Sequence, residues 1–210
     1  MKLLPVLLLV VCGALAKPGD LSKMPPRLAE FFKKNFGTPG GAKPPAREEV
    51  SYTLVEKNDK FEERIYPAWN WVCIEVKSEG DHMMDFLELA MYMQGENAAG
   101  ELMQLTIPVM MQRRAGGGAA MCAPLPASHQ ASLPAPLTDN IRLVAVPQTA
   151  VYVRRFGGVA QRKDWAEQAG TLQRHLTEAE RAFQSTVISA MFSDPAQREG
   201  RRNEIWLIKA

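Results

Sequence analysis

Eight of the eleven methionines in this 210-residue chain fall between Met83 and Met121. A thioether is polarizable and its side chain deforms easily, so such a cluster suits an adaptable apolar wall around a ligand. The same residues on a helix also serve as ordinary core packing. His82, His129 and His175 are the candidate bases or metal donors, each with a solvated or structural role as the plainer alternative. Cys73 and Cys122 form either one disulfide or two buried, inert thiols, since spacing alone says nothing of their geometry. The chain has no Cys-x-x-Cys and no histidine pair at metal spacing, which argues against zinc. It also has no Gly-x-Ser-x-Gly, no phosphate loop and no convincing nucleophile–base set, so it is not expected to be an enzyme.

The elements that must position these groups can be read along the chain. Residues 51–56 and 61–66 alternate as strands around an Asn58-Asp59 turn. Residues 69–76 put Trp69, Trp71 and Cys73 on one face and Val72, Ile74 and Val76 on the other, as expected of a central strand buried on both sides. Helical period begins at Asp81, a suitable cap, and Met83, Leu87, Ala90 and Met91 make one stripe before Gly95. Residues 101–111 return to strand character around Pro108. Residues 113–136, rich in Ala, Gly and Pro, read as a long and partly flexible excursion. Strands at 141–146 and 150–156 follow, then Gly157-Gly158, a helix near 160–176 with Trp165, Ala169, Leu172 and Leu176 in line, and strands at 185–192 and 204–208. Strand–helix–strand thus occurs twice. Few helices among many short strands argue an α+β fold, a twisted sheet or partial barrel with two flanking helices.

The first residues read as an address. Lys2 gives a positive n-region, Leu3 to Val11 an apolar core and Ala14-Leu15-Ala16 a small-x-small cleavage site, so residues 1–16 are expected to be a signal peptide and the protein to be secreted. Cys12 would leave with it. Residues 17–49 read as a flexible arm with one amphipathic piece, Pro26 to Phe36. Residues 50–210 remain as the folded domain. Twenty-five basic residues balance 23 acidic ones, which points away from nucleic acid or an anionic membrane as the main partner. No second long apolar segment occurs, so no stable membrane insertion is expected.

Three segments carry a family resemblance. They are Tyr92 to Asn97 leading into Leu105-Thr106-Ile107-Pro108-Val109, Val151 to Gly158 with its Phe-Gly-Gly turn, and Gly200 to Leu207 with Arg-Asn-Glu-x-Trp. In that order they resemble the SOUL/haem-binding protein family over roughly residues 50–210. The resemblance implies an α+β domain of two pseudo-repeated halves, with a distorted antiparallel barrel and two helices lying on it. It further implies binding of haem or a related tetrapyrrole in an apolar surface groove, with no catalytic residues.

A tetrapyrrole needs an apolar wall, an iron donor and cations for its propionates. Met83, Met84, Leu87 and Met91 are the candidate wall, and His82 the candidate iron ligand, with a methionine donor or none as alternatives. Residues 81–93 carry no Lys or Arg but hold Asp81, Asp85 and Glu88, which would repel a propionate. Arg154, Arg155, Arg162 and Lys163, near the start of the second helix, are the candidate cations instead, with a solvated basic face as the alternative. Arg201, Arg202 and Asn203 are expected to tie the tail to the sheet. The competing expectations are a different apolar ligand with weak or no haem affinity, and a protein-interaction module.

Overall fold

The computed structural model describes residues 26–36, 46–76, 82–113, 117–193, 197 and 199–210. The expected signal peptide and cleavage site lie outside these residues, as does Asp81. Two units are distinguished, one ending at Ala46 and one beginning at Arg47. In the first, the amphipathic piece is a helix, α1 (Pro26–Phe36), that starts on a proline and ends with Lys33 and Lys34 in its last turn.

The second unit is α+β. Its strands are β1 (Glu48–Glu49), β2 (Thr53–Lys57), β3 (Glu62–Tyr66), β4 (Trp69–Glu75), β5 (Thr106–Ile107), β6 (Val109–Arg113), β7 (Ala119–Pro124), β8 (Ile141–Val146), β9 (Thr149–Phe156), β10 (Phe183–Met191) and β11 (Asn203–Lys209). Its helices among the described residues are α2 (Met83–Met93) and α3 (Arg162–Glu178), with a 3₁₀ turn at Ala127–His129. Nine strands make one curled antiparallel sheet in the order β2-β3-β9-β11-β10-β6-β7-β4-β8, while β1 and β5 pair in parallel. No helix among the described residues is long and apolar enough to cross a membrane.

Leaving out β2, that order is its own mirror image. β3-β9-β11-β10 in one half corresponds to β8-β4-β7-β6 in the other. The register obeys the same symmetry at the centre, where Ser189 faces Met111, Ile188 faces Gln112 and Ala190 faces Met110. The duplicated strand–helix–strand pattern of the sequence is therefore a pseudo-twofold in space. Each half also borrows a strand, since β3 pairs with β9 and β8 pairs with β4.

Both helices cover the convex side. On β4, side chains alternate, so Val72 and Ile74 are fully covered on the α2 side while Trp69, Trp71 and Cys73 point the other way. α3 opens with a capping box, Gln161 N–H donating to Asp164 Oδ2 at 2.7 Å. Its stripe of Ala169, Leu172 and Leu176 packs with Tyr152, Ile205 and Leu207, and Trp165 meets Phe156 edge-on at 4.9 Å. Gly158 turns from β9 toward α3 at φ +83°, a conformation that favours glycine, and its carbonyl accepts from Asn203 Nδ2 at 2.9 Å.

The stretch 113–136 differs from its expectation. Within it, β7 is a buried central strand between β6 and β4. The alanines that suggest a loose loop by composition are what a tightly covered strand requires, because small side chains let α2 sit close to the sheet on one face. Residues 101–111 divide at a cis Ile107–Pro108 bond into β5 and β6.

On the concave side, one half buries an ion network. Arg64 (2% exposed) donates through Nη1 to Glu204 Oε2 at 2.9 Å, and Glu204 (0%) also accepts from Arg202 Nε at 2.9 Å and Trp206 Nε1 at 2.8 Å. Arg202 forks onto Glu49, Nη1 to Oε2 at 3.0 Å and Nη2 to Oε1 at 2.9 Å, which ties the tail to the strand entering the domain. Burial alone would lower the Arg64 pKa, but the Coulombic pull and hydrogen bonds of Glu204 outweigh it and raise it. Arg64 also donates through Nε to Glu62 Oε2 at 2.8 Å and so keeps one carboxylate when Glu204 is removed, but Arg64, Arg202 and Trp206 all lose a shared buried acceptor. Glu204→Ala is expected to cost about 3–5 kcal/mol in urea unfolding, while the paired Arg64→Met/Glu204→Met variant costs less than either single change. A double variant at least as unstable as the sum of the singles would refute that account.

Candidate functional site

The concave face of the other half has small residues where the first has its ion network. Following the pseudo-twofold through the strand registers, Ala120 stands at the position of Glu204, Val144 at that of Arg64, Cys122 at that of Trp206 and Cys73 at that of Val153. Less side-chain volume projects inward there. The result is an open cavity of about 200 Å³ between the halves.

Four aromatic residues stand in its wall among valines, isoleucines and prolines. Tyr66 and Trp206 stack at 4.6 Å with their planes 28° apart, and Trp69 and Trp71 face them from β4. Their orientations are held from behind. Tyr66 accepts from Arg64 Nη1 at 3.2 Å, Trp206 donates to Glu204, and Trp69 Nε1 donates to the Leu125 carbonyl at 2.8 Å. Burial pushes the Tyr66 hydroxyl pKa up, against the opposing pull of Arg64, so the ring stays neutral. Val146 and Pro147 from β8 and its link to β9 also line the cavity, as do Pro67 and Met110. Cys73 and Cys122, directly opposed across β4 and β7, are joined as a disulfide in the same wall.

The residues singled out from sequence lie elsewhere. None of His82, Met83, Met84, Leu87, Met91, Arg154 and Arg155 lines this cavity. Leu87 is packed in the core at 4% exposure, because the face that helical period assigned to a groove is the one that covers the sheet. Met83, Met84 and Met91 are partly exposed beside it on α2. His82 stands at the N-cap position of α2 without a side-chain capping hydrogen bond, its Nδ1 3.5 Å from Oδ2 of the buried Asp85. Arg154 points toward α3, Nε donating to Gln168 Oε1 at 2.7 Å, and Arg155, next along β9, takes the opposite face and is exposed. α2 lies over β4 and β7, four to five strands from β9 in the sheet. At roughly 4.8 Å per strand that is about 19–24 Å along the sheet, too far for one ligand to meet both groups in the expected way. His129 is engaged outside the cavity, Nε2 3.1 Å from Glu101 Oε1. His175 sits in the last turn of α3.

The face of Trp69, Trp71 and Cys73 was legible as an alternation, but as a buried central strand rather than a site wall. Tyr66, Trp206 and Met110 join it only through long-range pairing. Arg142 joins it too: it sits directly across from Cys73 on the β8 edge, on the same face, 64% exposed and 3.7 Å from Glu75. Among the described residues, no group of three or more His, Cys, Asp or Glu side chains is placed to hold a metal ion. The cavity wall is apolar and partly aromatic, with Arg142 outside it on the β8 edge.

The fold is a curled α+β half-barrel of two exchanged halves around an apolar concavity. The chain belongs to the SOUL heme-binding protein family, whose family model matches residues 47–208. It is 26% identical over 172 residues to heme-binding protein 1 of Sus scrofa, covering 76% of this chain and 91% of that protein. It is 28% identical over 196 residues to heme-binding protein 2 of Mus musculus, covering 87% and 96%. In fold, it is similar to the EcmrR C-terminal domain, with a TM-score of 0.54 at 9% identity over 76% of this chain and 98% of that one.

Two surfaces therefore compete as ligand walls, and an apolar fluorescent dye separates them. Val146→Trp, which plugs the mouth, is expected to weaken dye binding by about tenfold or more, the equivalent of 1.4 kcal/mol. Replacing Met83, Met84 and Met91 together by serine should leave it within a factor of two or so. The reverse pattern would move the site to α2.

Proposed function

We propose that this chain is a secreted, non-enzymatic binder of haem or a related tetrapyrrole, a carrier or scavenger that holds its ligand in the aromatic concavity. The observation that carries the reading is an apolar, aromatic-walled cavity in a chain that belongs to the SOUL heme-binding protein family. Haem-binding proteins 1 and 2 among its relatives support the same ligand class.

The residues fit such a group in part. Trp69, Trp71, Tyr66 and Trp206 offer ring surface for a flat macrocycle. Met110 offers a thioether of the kind that ligates haem iron in other folds. Arg142 stands at the edge outside the lining, where a propionate would compete with Glu75, 3.7 Å away. A bound tetrapyrrole supplies an iron or ring system whose chemistry is its own, and the chain's share is to shield one side of it from water. The cavity is small: about 200 Å³, against roughly 300–1,000 Å³ for drug-sized sites. It would take one flank of a macrocycle and leave the acid groups at the mouth.

That same volume favours a second reading, a smaller apolar ligand held entirely within the wall. Secretion is supported by the n-region, apolar core and small-x-small pattern of residues 1–16 and by a joined Cys73–Cys122, since disulfides persist in oxidising compartments.

Haem titration followed by absorption tests the reading. Saturable one-to-one binding with a Soret shift is expected, weakened about tenfold or more by Val146→Trp or Trp71→Ala and unchanged by His82→Ala. No shift in either the ferric or the ferrous state would end the haem reading. Dye uptake that persists in that case would leave the second reading standing.

A further inference from the structure

Three sulfur-bearing side chains stand in a row on the cavity wall. Met110 on β6 faces Cys122 on β7, and Cys122 faces Cys73 on β4. Residues directly opposed in an antiparallel ladder share a face, and all three line the concavity. The corresponding row in the other half is Ile188, Trp206 and Val153, so the fold itself does not demand sulfur at these places. The same lining holds Trp71, Val144 and Val146, which present carbon, and the polar Gln112. Two cysteine sulfurs and a thioether are soft donors. They suit monovalent copper, offer nothing to magnesium or calcium, and fall one short of the four ligands of a structural zinc site.

We propose that the Cys73–Cys122 disulfide is the closed form of a soft-metal site for a single monovalent copper ion. A dithiol reductant opens it: one thiolate attacks a cysteine sulfur, the second displaces the mixed disulfide, and the reductant leaves as its own cyclic disulfide. The chain gains two electrons and two protons and now carries two thiols. The ion then bonds to Cys73 Sγ, Cys122 Sγ and Met110 Sδ, and both thiol protons pass to solvent, since a metal-bound cysteine ligates as its thiolate. The centre then carries one net negative charge, on the face where Arg142 stands directly across from Cys73. The two cysteine Cα atoms are 4.1 Å apart, so their sulfurs reach a common ion without parting the strands. While the disulfide is closed, both cysteine donors are withdrawn. This site does not depend on haem binding, and a negative haem titration leaves it untouched.

The test is an anaerobic competition between the full chain and a coloured copper(I) chelator. After reduction by a water-soluble phosphine, which takes the oxygen of water to become the phosphine oxide, the chain is expected to remove one equivalent of copper(I). The unreduced chain should remove none. Cys73→Ser/Cys122→Ser should lose the equivalent, and Met110→Leu should keep the stoichiometry but lower the affinity. Thiolate-to-copper absorption in the ultraviolet should grow in step with uptake. Equal uptake by oxidised and reduced chains, uptake retained by the double serine variant, or loss of the near-ultraviolet dichroism on reduction would each overturn the proposal.

Discussion

Neither half of the sheet is complete without a strand from the other. β3 leaves its own half to pair with β9, and β8 leaves its half to pair with β4. The links that make this exchange, between β3 and β4 and between β8 and β9, each begin with a proline, Pro67 and Pro147, at equivalent places. A proline has no N–H to leave unpaired where the chain departs from one ladder and joins another. Both prolines border the concavity. The cavity is therefore not a defect in packing but the place where two crossing links hold the halves apart. Separating the halves would break three ladders, β3–β9, β4–β8 and β6–β10, and the cavity is walled by residues of both halves.

The backbone is nearly symmetric and the side chains are not. One half fills its concave face with Arg64, Glu204 and Trp206, and the other leaves room with Val144, Ala120 and the two cysteines. A fully buried pair of opposite charges is a costly filler unless its hydrogen bonds are complete. Here they are spent on function-facing rings: Glu204 takes the Trp206 N–H and Arg64 donates to the Tyr66 hydroxyl. The charged half thus works as a rigid backing for the aromatic half of the wall. Tyr52 lies over the Arg64 guanidinium at 4.2 Å and closes the far side of the network.

Much of this was legible in the sequence, and the reason it stopped is physical. Period alone located α2, α3 and most strands, because each buries one face or stripe of its own residues. The Trp165, Ala169, Leu172 and Leu176 stripe lies where the pattern put it. Residues 119–124 were missed as a strand because Ala-rich composition is the signature of a loop and of a crowded strand alike. The site was harder still. Methionines at helical spacing describe a helix face but not what covers it, and on α2 the sheet claims Leu87 and Ala90. The wall of the concavity draws on strands far apart in sequence, Tyr66 from β3, Met110 from β6 and Trp206 from β11, and no local window contains that pairing.

What the wall can hold is limited by charge as well as by volume. The described lining contains no cation or carboxylate, so the acid groups of a ligand would find no charged partner inside it, and Arg142 on the β8 edge lies 3.7 Å from Glu75. α2 is no better a place for them: it carries Asp85 and Glu88, with Glu88 Oε1 accepting from Asn140 Nδ2 at 3.1 Å. An apolar wall with one outlying arginine accordingly favours a ligand whose charge is confined to one edge. A copper(I) centre on the sulfur row would use the same wall in another way, at a point source beneath the rings. The two occupants would exclude each other, because a macrocycle flank and an ion bound to Met110 both require the space over β6 and β7. On that argument the state of the Cys73–Cys122 bond would decide which of them the concavity accepts.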